Sequence, residues 1–256
     1  MGYFLGVIVF LIGLLLGSFF NVCIYRIPRE QSIIFPPSYC TSCCKRLTWR
    51  DLIPVFSWIF LGGKCRYCKQ RISYRYPLIE LTTGLIFLLL YIEFGISGTF
   101  LTYSILCSIL IIATVIDIEH QIIPNGLVIT GTVAGIALTL AGLSVNWKDA
   151  LIGILAGGGT FLLVAFLSQL ILKKEGMGGG DIKLMAMIGL MIGWKLTILT
   201  ILVSVYAGGL VGGLLLLCGI KKRGDAIPYG PFIAAGTIVS VLFGDELILW
   251  YLNLFL

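Results

Sequence analysis

Apolar runs close to the length of a bilayer crossing follow one another along almost the whole chain, and they constrain its fold more than any other feature. A spanning helix needs about 20 mostly apolar residues. Such runs stand at 3–22, 77–95, 99–119, 126–143, 149–172, 182–194, 196–218 and 228–252. The sixth is short, and the turn that separates it from the seventh rests on Trp194 and Lys195. The other breaks carry turn residues: Gly95 to Gly98, Pro124-Asn125, Ser144 to Asn146 and Lys221 to Asp225. With 59% hydrophobic and 12% charged residues among 256, the chain has no room for a large soluble domain. The expectation is an all-α polytopic membrane protein of about eight transmembrane helices. The first run has no basic segment before it and no small-residue cleavage site, so it reads as a retained span rather than a signal peptide.

Charge gives an orientation. All of the 18 Lys and Arg except Lys148 and Lys195 fall in three connections: between runs one and two, five and six, and seven and eight. Eight spans put those three connections on one side, and the positive-inside rule makes that side the cytoplasm, with both termini outside. The net charge of +6 is thereby accounted for by the bilayer, with no nucleic-acid partner required. The organisation expected is a first helix at 1–22, a cytoplasmic loop at 23–76 and a transmembrane helical core at 77–256.

The loop carries CTSC at 40–43 and CRYC at 65–68. Each CxxC turn aims two sulfurs at one point, and two such knuckles complete a tetrahedron, so Cys40, Cys43, Cys65 and Cys68 read as a structural zinc site. Disulfides are the competing reading, and a reducing cytoplasm argues against them. Cys44 could replace Cys43, although the CxxC symmetry favours Cys43. Metal binding would supply folding energy to a basic loop with little core of its own. Cys23, Cys107 and Cys218 lie in or beside apolar runs and read as small buried hydrophobes.

Two carboxylates reach the same membrane depth from distant parts of the chain. Asp117 ends the third run and Asp181 opens the sixth, both at the cytoplasmic edge. Alone, each reads equally well as a helix cap or an interfacial residue. As a pair they suit peptide hydrolysis, in which one carboxylate activates water while the other, protonated, polarises the carbonyl. The glycines of GMGGGD at 176–181 allow unusual backbone angles and close approach to a substrate. A dinucleotide loop is excluded there, because an apolar span and KKE precede the glycines instead of a strand.

GSFFNVCIYRIP at 17–28, the two CxxC pairs, YPLIELTTG at 76–84, DIEHQIIPN at 117–125, GMGGGDIKLMAMIG at 176–189 and IPYGPFIAAG at 227–236 follow one another in order. In this combination the chain resembles the bacterial type IV prepilin leader peptidase/N-methyltransferases, along nearly its whole length. The resemblance implies a GxGD aspartic protease of the bacterial inner membrane with Asp117 and Asp181 as catalytic pair, which would make 77–256 its protease core. It further implies prepilin-like or pseudopilin substrates, from pilus, secretion or DNA-uptake systems alike, cut after a short basic leader on the cytoplasmic side. The long zinc loop looks like that of the bifunctional members, which methylate the new N-terminus with S-adenosylmethionine. Glu80, near the start of the second run, is a candidate for the methyl-transfer site, and Asn21 and Arg26 at the end of the first are lesser ones. The enzyme face and the leader are both basic, and Glu30, Asp51, Glu80, Glu119 and Glu175 are the acids available to offset this. Lys183 reads as a snorkelling cation.

Two other classes fit parts of the pattern. A transporter could use the two aspartates to bind cations or protons. A zinc-bearing assembly factor would need them only as caps.

Overall fold

A computed structural model describes residues 2–173, 176–222 and 227–255. Lys174, Glu175, Arg223 and Asp225, used above in the charge and turn assignments, lie outside the described residues. Among those described the chain is helical, with two isolated bridges and no strand. It divides into two compact units, Met1–Gly95 and Ile96–Leu256.

The first unit holds α1 (Gly2–Arg26), the short α2 (Phe56–Phe60) and α3 (Arg75–Phe94). Lipid tails are as apolar as leucine, so helices in a membrane associate by close packing of small residues. Gly13 and Gly17, four apart on α1, do this: a Cβ on Gly13 would lie 2.8 Å from the Cα of Gly84, and one on Gly17 2.7 Å from the Cα of Glu80. That approach brings the end of α1 and the start of α3 to the same place, with residues 27–74 looped between them. Pro28 and the left-handed Glu30 (φ 55) stop α1 after a short 3-10 turn. Gly95 (φ 58) ends α3.

The second unit holds α4 (Gly98–His120), α5 (Asn125–Leu140), α6 (Trp147–Ile154), α7 (Thr160–Leu172), α8 (Gly179–Leu217) and α9 (Gly230–Phe255). The Ser97 hydroxyl caps α4 by accepting the N–H of Phe100 at 3.1 Å. A π-helical turn, Leu155–Gly159, joins α6 to α7 in one continuous stretch.

Among the described residues six helical stretches are long and apolar enough to cross a membrane, and α5 is apolar but shorter. The expected eight include α5 and count the two legs of α8 separately. The break in α8 is at Gly193 (φ 74, ψ 173), one residue before the Trp194-Lys195 turn expected from sequence. The Ser144 hydroxyl donates to the carbonyl of Met191 at 3.0 Å, next to the break. A straight helix would hold Met185 and Thr197 about 18 Å apart. Yet a Cβ on Gly157 would meet both the Met185 carbonyl oxygen and Thr197 Cγ2, so α8 folds back at Gly193.

Candidate functional site

The two CxxC turns of the first unit have the same backbone. Cys40 N–H donates to Lys45 O and Cys44 N–H to Cys40 O; Cys65 N–H donates to Gln70 O and Lys69 N–H to Cys65 O. Cys44 (φ 55) and Lys69 (φ 60) are the left-handed residues that close the two turns. Cys44 therefore occupies the place of Lys69, and its sulfur is outside the set. The sulfurs of Cys40, Cys43, Cys65 and Cys68 all lie within 4.8 Å of one another. A tetrahedral zinc with Zn–S near 2.3 Å needs sulfurs about 3.8 Å apart, and Cys40 Sγ and Cys68 Sγ are 3.9 Å apart. Burial works against ionisation of Cys40, but the N–H groups of Cys43 and Ser42 and the neighbouring thiols bring it down to about 6. The donor set fits zinc.

Asp51 ties the knuckles together. It accepts the N–H and hydroxyl of Thr48 at 3.0 and 2.7 Å and the Arg66 Nε at 2.6 Å, with Arg66 standing between the two cysteines of the second knuckle. Burial pushes its carboxyl up, but Arg66 and Thr48 prevail and hold it at about 2. This carboxylate is structural.

Asn21, Arg26 and Glu80 line one cavity of about 620 Å³ in the first unit, a size suited to a cofactor. The Asn21 amide nitrogen donates to the carbonyls of Gly17 and Tyr76, both at 3.2 Å. Its Oδ1 is buried and has no partner, which is uncommon for a buried polar atom and marks a place for a donor. Glu80, 6% exposed, accepts the N–H of Val55 at 2.7 Å. Arg26 also lines the cavity, but it donates to the carbonyls of Ser32 at 2.9 Å and Pro36 at 2.7 Å. Those bonds commit it to holding the loop.

In the second unit, Asp117 lies in the last turn of α4, 6% exposed. Its Oδ2 accepts the N–H of Gly230 at 2.8 Å. Gly230 opens α9, where an amide lacks an intrahelical acceptor. A Cβ on it would lie 2.8 Å from that same oxygen. Sequence reasoning missed this donor; the Gly-Pro pair at the start of an apolar run was the available signal. Asp181 is half-buried in the first turn of α8. A Cβ on Gly180 would be 2.9 Å from that of Ile123, so the glycine lets α8 start against the chain that follows α4. Lys183 stays exposed and donates to the Asn125 side chain at 2.9 Å. The start of α8 and the start of α9 thus both adjoin the end of α4, with Asp117 and Asp181 on two of these helix ends and the Gly230 amide bonded to Asp117.

Comparison with known proteins agrees with both halves. Residues 11–94 match the Bacterial Peptidase A24 N-terminal domain, and residues 104–213 match the Type IV leader peptidase family. A prepilin leader peptidase/N-methyltransferase of Bacillus subtilis is 39% identical, covering 96% of this chain and 98% of its own length. Proteins of the same name from Pseudomonas putida and Pseudomonas aeruginosa are 36% and 34% identical, covering 92% and 95% of this chain and 90% and 92% of their own. No solved structure matches. With both of its units matched and relatives similar along nearly all of its length, this chain belongs to the type IV leader peptidase family.

Proposed function

We propose that the chain is a prepilin peptidase that uses Asp117 and Asp181 as an aspartate dyad, and that it also N-methylates the product. The observation that carries the first activity is that the start of α8, which bears Asp181, is seated against the chain just after α4, which bears Asp117. One carboxylate takes a proton from water as its oxygen attacks the carbonyl of the scissile peptide. The other, protonated, donates to that carbonyl; the first then passes the proton it took to the departing amine while the second recovers one from the gem-diol hydroxyl, so the C–N bond breaks and both protons are accounted for. Two carboxylates brought onto one substrate in this way would share one proton more readily than none. The Gly230 amide holds Asp117 in orientation. A substrate with a basic leader and a hydrophobic helix would keep the helix in lipid and offer its junction at the cytoplasmic boundary. The Lys and Arg bias supports that side.

Methyl transfer is assigned to the first-unit cavity. S-adenosylmethionine would supply the methyl group there. The new amine must give up a proton to become a nucleophile, and Glu80 is the acceptor available. Asn21 Oδ1 would take an N–H of amine or donor, while Arg26 keeps the rim in place. Zinc at Cys40, Cys43, Cys65 and Cys68 is structural in this scheme. The family relationship lends no support to a carrier.

The test is mass spectrometry of a prepilin-like substrate treated with wild type, Asp117→Asn or Asp181→Asn, with and without S-adenosylmethionine. Wild type is expected to remove the leader and to add about 14 Da when the donor is present. Both variants leave the precursor intact yet methylate a pre-cleaved peptide. Cleavage by either variant would overturn the dyad, and loss of both activities in a folded variant would overturn the separation of sites.

A further inference from the structure

The knuckle loop contains a stretch that does not suit a segment surrounded by water. From Leu52 to Gly63, LIPVFSWIFLGG, there is no charged residue, although Arg50, Lys64, Arg66, Lys69 and Arg71 stand close by on either side. Within it α2 turns Trp58 inward: the indole N–H donates to the carbonyl of Ile72 at 3.1 Å, and the ring packs on Gly63. Phe56, Ile59 and Phe60, spaced as one face of a helical turn, point outward and are 52%, 58% and 83% exposed.

The depth of this face is fixed by a hydrogen bond. Val55, immediately before α2, donates its N–H to Glu80, and Glu80 belongs to a membrane-spanning helix. A helical side chain leans toward the N-terminus of its helix, which here puts the carboxylate near the first turn of α3. Asn21 bonds that same turn through the carbonyl of Tyr76. Val55 and α2 are thereby held where the apolar part of α3 begins. Leu78, in that turn, is itself widely exposed. Exposed Trp49 and Tyr74 are residue types that gather at membrane–water boundaries.

We propose that residues 52–61 form an interfacial segment of the bilayer, with Phe56, Ile59 and Phe60 set among the acyl chains just below the headgroups. The partner is phospholipid. Its apolar layer is continuous with the surface that α3 already presents, and anionic phosphates complement the basic residues flanking the segment. On this reading the zinc knuckles stand on the membrane, and the cavity lined by Asn21 and Glu80 opens at its surface.

The experiment places benzoylphenylalanine at Phe60, and separately at Leu85 midway along α3, in the full chain. The proteins are reconstituted in nanodiscs of phosphatidylglycerol and phosphatidylethanolamine and irradiated. Zinc retained at one per chain reports that the loop is folded. The expected result is a lipid-mass adduct at position 60 as at position 85, and none in irradiated wild type. An adduct at 85 but not at 60 would overturn the proposal. So would cross-linking from 60 to a second copy of the chain, or to an added prepilin-like peptide, in place of lipid.

Discussion

Glu80 in the first unit and Asp117 in the second make the same hydrogen bond on different scaffolds. Each carboxylate is buried in a membrane-spanning helix, and each accepts one backbone N–H from a segment distant in sequence, at 2.7 and 2.8 Å. Gly230, the donor to Asp117, opens a helix that packs along α4 and α8, so helix packing alone fixes it. Val55, the donor to Glu80, has φ 63 and ψ −54, and the N–H of the next residue reaches back to Pro54 O at 2.6 Å. That is a tight positive-φ turn, unfavourable for a β-branched residue and sustained only where surroundings impose it. Here the surroundings are a loop of about 50 residues, too small to bury much of a core. Four sulfurs organise it. One carboxylate thus takes its geometry from a loop gathered on the four-cysteine cluster, and the other from packed helices.

Zinc removal is the strongest way to break this comparison. Chelation, or Cys65→Ser, is expected to lower methyl transfer onto a pre-cleaved peptide by about 100-fold, because a structural site supplies its folding energy to the loop. Leader cleavage stays near wild type. Parallel assays of the two activities, with the metal content measured, decide it. Equal loss of both would mean that the second unit also leans on the metal.

Sequence and structure agree best where long-range placement was not needed. The apolar runs map onto helices because hydrophobicity is a local property that lipid rewards directly. Cys40, Cys43, Cys65 and Cys68 converge because CxxC is itself a turn. Cys43 and Cys44 could be told apart only by conformation, since the left-handed angle at Cys44 is what excludes its sulfur. Likewise the break in α8 is at Gly193, where φ is positive, while the charge at Lys195 drew attention to the wrong residue. Asn21 and Glu80 were legible as polar groups near helix ends. Their shared cavity was not, because it depends on how Gly13 and Gly17 seat α1 on α3. The Gly230 amide and the Val55 turn were invisible for the same reason: a backbone donor has no letter in the sequence.

Gly230→Ala sharpens the comparison from the other side. The new Cβ would lie 2.8 Å from Asp117 Oδ2, closer than carbon and oxygen tolerate, so the carboxylate or the start of α9 must shift. Misplacing a catalytic group by about 1 Å costs up to about 100-fold. Cleavage is expected to fall by about 10- to 100-fold in kcat/KM, with methyl transfer unchanged. A drop in methyl transfer of similar size would show that the substitution damages the whole protein rather than one carboxylate.

The smallest effect concerns Asp51, the acid that braces the knuckles. Asp51→Asn removes a charge-assisted bond to the half-exposed Arg66 side chain and keeps one acceptor for Thr48, so the loss of stability in the zinc-loaded loop is small. Its pH dependence separates this brace from the thiolates. Burial opposes the charge, but Arg66 and Thr48 hold the Asp51 carboxyl at about 2, below its ordinary 3.8. A depressed folded value means that the stabilisation is complete above the unfolded value and fades only as pH falls through about 2. The gap between wild type and Asp51→Asn, read from thermal unfolding with zinc bound, should therefore be flat from about pH 8 to pH 5. Metal binding itself weakens over that range as protons compete for sulfur, lowering both proteins together. A gap that closes before pH 5 would assign the stabilisation to the thiolates and leave Asp51 as a surface acid.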